Sequence, residues 1–145
     1  MHKFAASIKE AVYKNAKTAG ILAPDAVIAQ ACLESGYGTS GLAKQAHNLF
    51  GMKCGKSWNG DKYRVRTREV YNGKSVYVYA DFRKYKTDAA CIKDYFSFIN
   101  TKRYANLKGV KDVKKYLQLI QKDGWATDPR YATSCYSVYL KQVKE

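Results

Sequence analysis

Acid is scarce in this chain, proline is nearly absent, and several common signatures are missing altogether. Twelve acidic residues face 26 lysines and arginines, giving a formal charge of +14. Such an excess predicts attraction to a polyanion: nucleic acid, an anionic membrane surface or the acidic polymers of a bacterial wall. The sequence has no RNP, zinc-finger or Gly-rich phosphate motif, which argues against nucleic acid as the partner. No apolar stretch approaches membrane-spanning length, so membrane insertion is not expected. The opening MHKFAASIKE reaches Lys9 and Glu10 before a signal-type hydrophobic segment can form; export would need another route or an upstream segment. There are only two prolines, no Pro- or Ser-rich linker, no repeat and no low-complexity tract. A chain of 145 residues without such breaks predicts one domain, 1–145, large enough to bury its own core. The four cysteines, Cys32, Cys54, Cys91 and Cys135, form no CxxC pair, so neither a zinc site nor a thioredoxin-type motif is expected. Cys32, Cys91 and Cys135 fall within helical patterns and read as small buried hydrophobes in preference to a disulfide or a nucleophile; His47 reads as a loop histidine, a base for a thiol only if the fold brings the two together.

What is present is a helical pattern interrupted by one hairpin. Phe4, Ile8, Val12 and Ala16 recur at helical spacing and predict a first amphipathic helix ending near Gly20. Pro24 suits the first turn of a second helix, about 24–35, with Asp25 near its positive end. That segment carries Ala26, Val27, Ile28, Ala29, Ala31, Cys32 and Leu33, apolar nearly all round, and therefore predicts a buried helix. Ser40 can cap a short helix from Gly41, and Thr87 one carrying Ile92, Tyr95, Phe96 and Ile99. Val113, Leu117 and Ile120 mark another that stops before Gly124, and Asp128-Pro129 reads as cap and first-turn proline of a last helix.

Two polar residues interrupt the second helix after Asp25. Gln30 and Glu34 are four apart and share a stripe. A carboxylate there is costly unless paired, neutralised or facing a wet cleft, so the stripe reads as lining a cavity; the plainer reading is a frayed helix end meeting solvent. A second such acid lies in DKYRVRTREVYNGKSVYVYADF, residues 61–82. Alternation on both sides of Asn72-Gly73 predicts a two-residue hairpin turn. The implied register sets Tyr71 against Lys74, Glu69 against Val76, Thr67 against Val78, Val65 against Ala80 and Tyr63 against Phe82. Arg64, Arg66, Arg68, Tyr77, Tyr79 and Asp81 then share the opposite, wettable face. Glu69 is the acid on the apolar side, read either as an exposed end residue or as the partner of Glu34 in acid/base chemistry across a cleft.

The stretch IAQACLESGYGTSGLAKQAHNLFGMK resembles the signature of glycoside hydrolase family 73, the bacterial wall-degrading N-acetylglucosaminidases, and GWATDPRYA is similar to that family's second signature. With the hairpin between them, the likeness spans most of the chain. It implies an α+β, mainly helical, lysozyme-like fold with a small β lobe at about 61–82. It also implies hydrolysis of the β-1,4 bond following N-acetylglucosamine in peptidoglycan, without metal or cofactor. Carried over by residue, Glu34 matches the catalytic acid and Glu69 the second glutamate. Asn48, Leu49, Phe50 and Gly51 match the loop shaping the cleft floor, and Thr127, Asp128 and Tyr131 the late signature. Trp125 departs from the pattern, where many relatives have tyrosine, and offers a ring for sugar stacking in place of a hydroxyl. Gln30 and Tyr37, from the first motif, complete the expected substrate contacts; Asp128 is equally readable as a helix cap. The expected partners are peptidoglycan strands and anionic wall polymers, met by a monomer acting at the cell wall as an autolysin module or phage lysin. Two alternatives stay open on the residues alone: a muramidase cutting the neighbouring linkage, and a basic module that binds wall polymer or nucleic acid without cutting.

Overall fold

A computed structural model describes the backbone of residues 1–145 and every side chain except those at positions 69 and 70. The first helix, α1 (Lys3–Ala19), opens with the His2 imidazole accepting the Phe4 N–H at 3.0 Å and buries Ala5, Ile8, Val12 and Ala16 along one stripe. It stops at Gly20, as its sequence predicts. The second, α2 (Pro24–Ser35), has proline in its first turn and is the axis of the molecule: Ala26 through Cys32 are all buried, and α1, α5 (Val113–Lys122) and α6 (Tyr131–Val138) pack around it. An all-round apolar helix has no face to give to water, so its neighbours must enclose it. Ser40 caps the short α3 (Gly41–Ala46) and Thr87 caps α4 (Asp88–Ile99), each hydroxyl accepting a backbone N–H at 3.1 Å. A 3-10 turn (Lys102–Leu107) joins α4 to α5, and a π-helical turn (Tyr139–Val143) ends the chain.

The hairpin β1 (Lys62–Tyr71) and β2 (Lys74–Arg83) has the register expected from the sequence, including Glu69 opposite Val76. Asn72 and Gly73 both take positive φ, 50° and 76°, which is what a tight two-residue turn demands. Tyr63, Val65, Thr67, Val78, Ala80 and Phe82 are half-buried, whereas Arg64, Arg66, Arg68, Tyr77 and Tyr79 are exposed. The apolar face is shallow because the lobe extends away from the helices. At its base the 52–54 segment runs beside β2, with Cys54 donating to the Asp81 carbonyl and Arg83 to that of Met52, both at 3.0 Å.

One expected helix start is displaced. Asp128-Pro129 forms a turn, not the first turn of α6, which begins at Tyr131. Asp128 Oδ1 accepts the Arg130 N–H at 2.9 Å and its carbonyl the Tyr131 N–H at 3.1 Å, so the capping bonds form one turn ahead of regular helix. All four cysteines are buried and free, and burial pushes the Cys32, Cys91 and Cys135 thiols up to about 12, out of nucleophile range. His47 ends α3 and bonds Asp88 at 2.8 Å.

Candidate active site

The last turn of α2 carries Glu34 to the floor of a cleft of about 510 Å³. Leu33 on one side and Ser35 on the other are held by the helix packing; Ser35 donates to the Ala31 carbonyl at 2.6 Å and accepts from Gly38 N–H at 2.9 Å, which fixes the turn. Glu34 therefore projects from a rigid support. Opposite it, Gly51 has φ +68°, and a Cβ built there would stand 3.3 Å from Glu34 Oε2. The floor loop can pass this close to the carboxyl only because position 51 has no side chain.

By accessible area Glu34 is open to water, yet protein fills most of the volume around its carboxyl, and it is this surrounding that sets its proton affinity. Burial alone raises its pKa from 4.5 to about 7. No cation lies close enough to pull it back, so the group can be a proton donor near neutrality while remaining in reach of a ligand.

Aromatic rings make the walls. Phe50, 1% exposed, packs on Tyr95 with ring centres 4.5 Å apart. Trp125 leans on Tyr95, Phe98 and Tyr104, with centres 5.3, 5.6 and 6.2 Å away. Both line the cleft, as do Phe98 and Tyr104. Lys53, Arg83 and Arg103 add positive charge to its rim. Arg83 is pinned: its guanidinium donates to Asp94 at 2.8 Å and to the Lys53 carbonyl at 3.0 Å, between the Trp58 and Phe98 rings.

Several residues expected at the substrate lie elsewhere. Gln30 shares the stripe of Glu34 but is fully buried, its amide donating to Tyr131 Oη at 3.1 Å and accepting from Tyr95 Oη at 2.6 Å. The stripe tilts inward by one turn, so only Glu34 opens to the cleft and Gln30 braces the layer beneath. Tyr131 is 5% exposed and belongs to the same buried chain of polar groups, which continues from Tyr95 to Tyr116 at 2.8 Å. Its hydroxyl is held protonated by burial and by the nearby Glu34 carboxylate. Asn48 is also buried; it donates to the Met52 and Arg83 carbonyls, each at 2.9 Å, and accepts from Met52 N–H at 3.1 Å. It shapes the floor and has no free polar atom for a ligand. Tyr37, at φ 56°, packs its ring at a tilt against His2, centres 4.4 Å apart, and does not line the cleft, because the left-handed turn after α2 directs it toward the N-terminus. Thr127 and Asp128 are exposed on the loop after Trp125 and do not line the cleft either. The Glu69 side chain lies outside the described residues. Among the cleft residues the sequence pattern missed, Arg83 lies just past the expected hairpin, and Arg103, Phe98 and Tyr104 carried no signal at all.

A carboxyl held near neutrality at the base of an aromatic-walled groove, between a helical body and a hairpin lobe, defines a lysozyme-like glycosidase architecture. The chain belongs to the glucosaminidase family: the family model described as mannosyl-glycoprotein endo-beta-N-acetylglucosaminidase matches residues 9–143. It is 40% identical over 112 residues to the peptidoglycan hydrolase FlgJ of Pseudomonas aeruginosa, covering 73% of this chain and 28% of that protein. Its fold is similar to the crystal structure of a peptidoglycan hydrolase mutant from Sphingomonas sp. A1, with TM-score 0.81, 32% identity and coverage of 94% and 90% of the two chains. The catalytic domain of the Listeria monocytogenes autolysin Auto gives TM-score 0.80 at 28% identity, covering 93% and 80%. The chain spans less than half the length of the curated relatives it matches.

Proposed function

We propose that residues 1–145 form one catalytic domain that hydrolyses the β-1,4 bond following N-acetylglucosamine in bacterial peptidoglycan, as an endo-β-N-acetylglucosaminidase. The observation that carries this reading is the Glu34 carboxyl, raised to about 7 by burial at the base of an open aromatic groove. Glu34 delivers its proton to the glycosidic oxygen as the bond to the anomeric carbon breaks, and the leaving sugar departs as a neutral alcohol. Glu69, on the hairpin, is the second carboxylate: it takes a proton from the attacking water, bonds the anomeric carbon directly, or stabilises positive charge while the substrate's own acetamido group attacks. Product stereochemistry separates the first, which inverts, from the other two, which retain; inversion requires carboxyls about 6.5–9.5 Å apart and a carboxylate nucleophile about 5–5.5 Å. Trp125 offers a ring face to the sugars, and Phe50, packed on Tyr95, backs the cleft wall. Gln30, Asn48 and Tyr131 hold the floor, and Thr127 and Asp128, on the exposed loop after Trp125, would meet only a strand longer than the cleft.

The protein acts at the cell wall as a monomer, without metal or cofactor, and anionic wall polymers draw its positive surface to the substrate. Digestion of purified peptidoglycan, borohydride reduction and mass spectrometry test this directly. Reduced N-acetylglucosamine ends are the expected product. Reduced N-acetylmuramic acid ends would mean a muramidase, and intact glycan would leave a binding module. Glu69→Gln should lose most turnover with the fold retained; near-normal rates would remove it from the mechanism.

A further inference from the structure

The cations at the cleft rim are not equivalent. Arg83 is balanced by Asp94 and packed between two rings, so its charge is already spent. Lys53 is exposed on a flexible stem. Arg103, on the 3-10 turn, is different again. Its Nε donates to the Asp123 carbonyl at 2.6 Å and one terminal nitrogen reaches the Gly124 carbonyl at 3.5 Å. Gly124 has φ +101°, and a Cβ there would fall 2.0 Å from Arg103 Nη2. The backbone at 123–124 is therefore a seat that glycine keeps open, and it holds the guanidinium over the Tyr104 ring, 5.6 Å from its centre. Two acceptors fix the fork, and both are neutral carbonyls. The Asp123 carboxylate is turned to Asn106, at 3.0 Å, and among the described residues no carboxylate lies within ion-pair distance of Arg103.

A guanidinium oriented in a ligand groove, outside ion-pair contact with every described carboxylate and with N–H groups to spare, is built to receive an anion. The anion is not the reacting carboxyl of the enzyme, since Glu34 lies outside ion-pair distance of Arg103. The charge read by Arg103 is thus offset from the reacting carboxyl. In a glycan whose sugars are themselves neutral, the anions at such an offset are carboxylates on a side branch.

We propose that Arg103 is the specificity-determining residue that binds a free carboxylate of the peptide branch on the glycan strand, beside the sugar stacked at Trp125. This rests on the peptidoglycan reading given above. Arg103 makes the domain a reader of acidic, peptide-bearing strands over neutral polymers of the same β-1,4 linkage. Lys53 contributes diffuse attraction without geometry.

The test compares soluble glycan oligomers carrying native peptides with the same oligomers after their free carboxylates are converted to methylamides. Wild-type protein is expected to prefer the native form by about tenfold or more in kcat/KM, the fold-change a charge-assisted pair supplies. Arg103→Gln should bring that preference to within about twofold of unity, chiefly through KM, and Arg103→Lys should keep part of it. Lys53→Gln should keep most of it. The proposal is overturned if wild type shows no preference, or if Arg103→Gln slows both substrates equally and so preserves the ratio, as a purely structural role would. It is also overturned if Lys53→Gln erases the preference as fully as Arg103→Gln. Affinities of the Glu34→Gln protein for the two oligomer pools, by calorimetry, give the same comparison without turnover. Hydrolysis failing while this binding preference persists would count against the glycosidase reading alone.

Discussion

The pH dependence of turnover tests the central residue most directly. If Glu34 must be protonated to act and its pKa is about 7, it is about 90% in the active form at pH 6 and about 10% at pH 8, whereas an ordinary glutamate would be only about 3% protonated at pH 6. The alkaline limb of kcat against pH should therefore bend near 7, with a slope of one proton. The perturbation is Glu34→Gln, which keeps shape and removes the proton. It should lower kcat by about 10²–10⁴-fold, the usual worth of a positioned general acid, and abolish that limb in whatever rate remains. The same pKa has a consequence for stability, of opposite sign to that of a salt-bridged acid. Because the folded state binds this proton more tightly than the unfolded one, the stabilisation is full below about 4.5 and is lost as pH rises through about 7. Solvent at the cleft mouth screens the effect to on the order of 1 kcal/mol. In Glu34→Gln that part of the fall should vanish from urea midpoints measured at pH 4.5 and 8. The assay is release of reducing ends from solubilised peptidoglycan between pH 4 and 9, with a carboxyl-carbon NMR titration of Glu34 alongside. A limb near 4.5, or a Glu34→Gln protein with unchanged rate, would refute the reasoning.

Gly51→Ala should destabilise the fold by about 1–2 kcal/mol, because alanine at φ +68° is strained. Its methyl would also press on Glu34 Oε2, so the alkaline limb should move further upward; an unmoved limb would show that the floor loop does not crowd the acid. Tyr95→Phe removes the hydroxyl shared by Gln30 and Tyr116 and should cost about 1–3 kcal/mol in urea unfolding, since two buried polar groups lose a partner. Asp94→Ala leaves the Arg83 guanidinium half-buried without its counter-ion and takes an acceptor from Tyr85; a loss of about 2 kcal/mol, below the 3–5 of a wholly buried pair, should appear in thermal melts together with weaker glycan binding.

Local patterns carried most of the fold. Proline at the start of α2, hydroxyl caps at Ser40 and Thr87, and Asn72-Gly73 between alternating strands are decided within a few residues, and each element formed where those residues placed it. Glu34 was legible for a related reason: one acid in a helix apolar on every side must either be neutralised or open to a groove. The α6 boundary was less so, because Asp128 satisfies the same N–H groups whether the next residues form a turn or a helix.

The sequence by itself thus determined the order of elements, the hairpin register, the buried axis and the acid at its end, all of which depend on spacing along the chain. Only the tertiary structure decided which polar side chains meet the groove. Gln30 and Glu34 share a helix stripe, yet a single turn separates a residue locked between two tyrosines from one facing water, and that difference is set by what α4 and α6 place against it. Arg103 and Gly124 are 21 residues apart and meet because the 3-10 turn folds onto the end of α5. No local rule encodes such a meeting, since it depends on how whole helices pack.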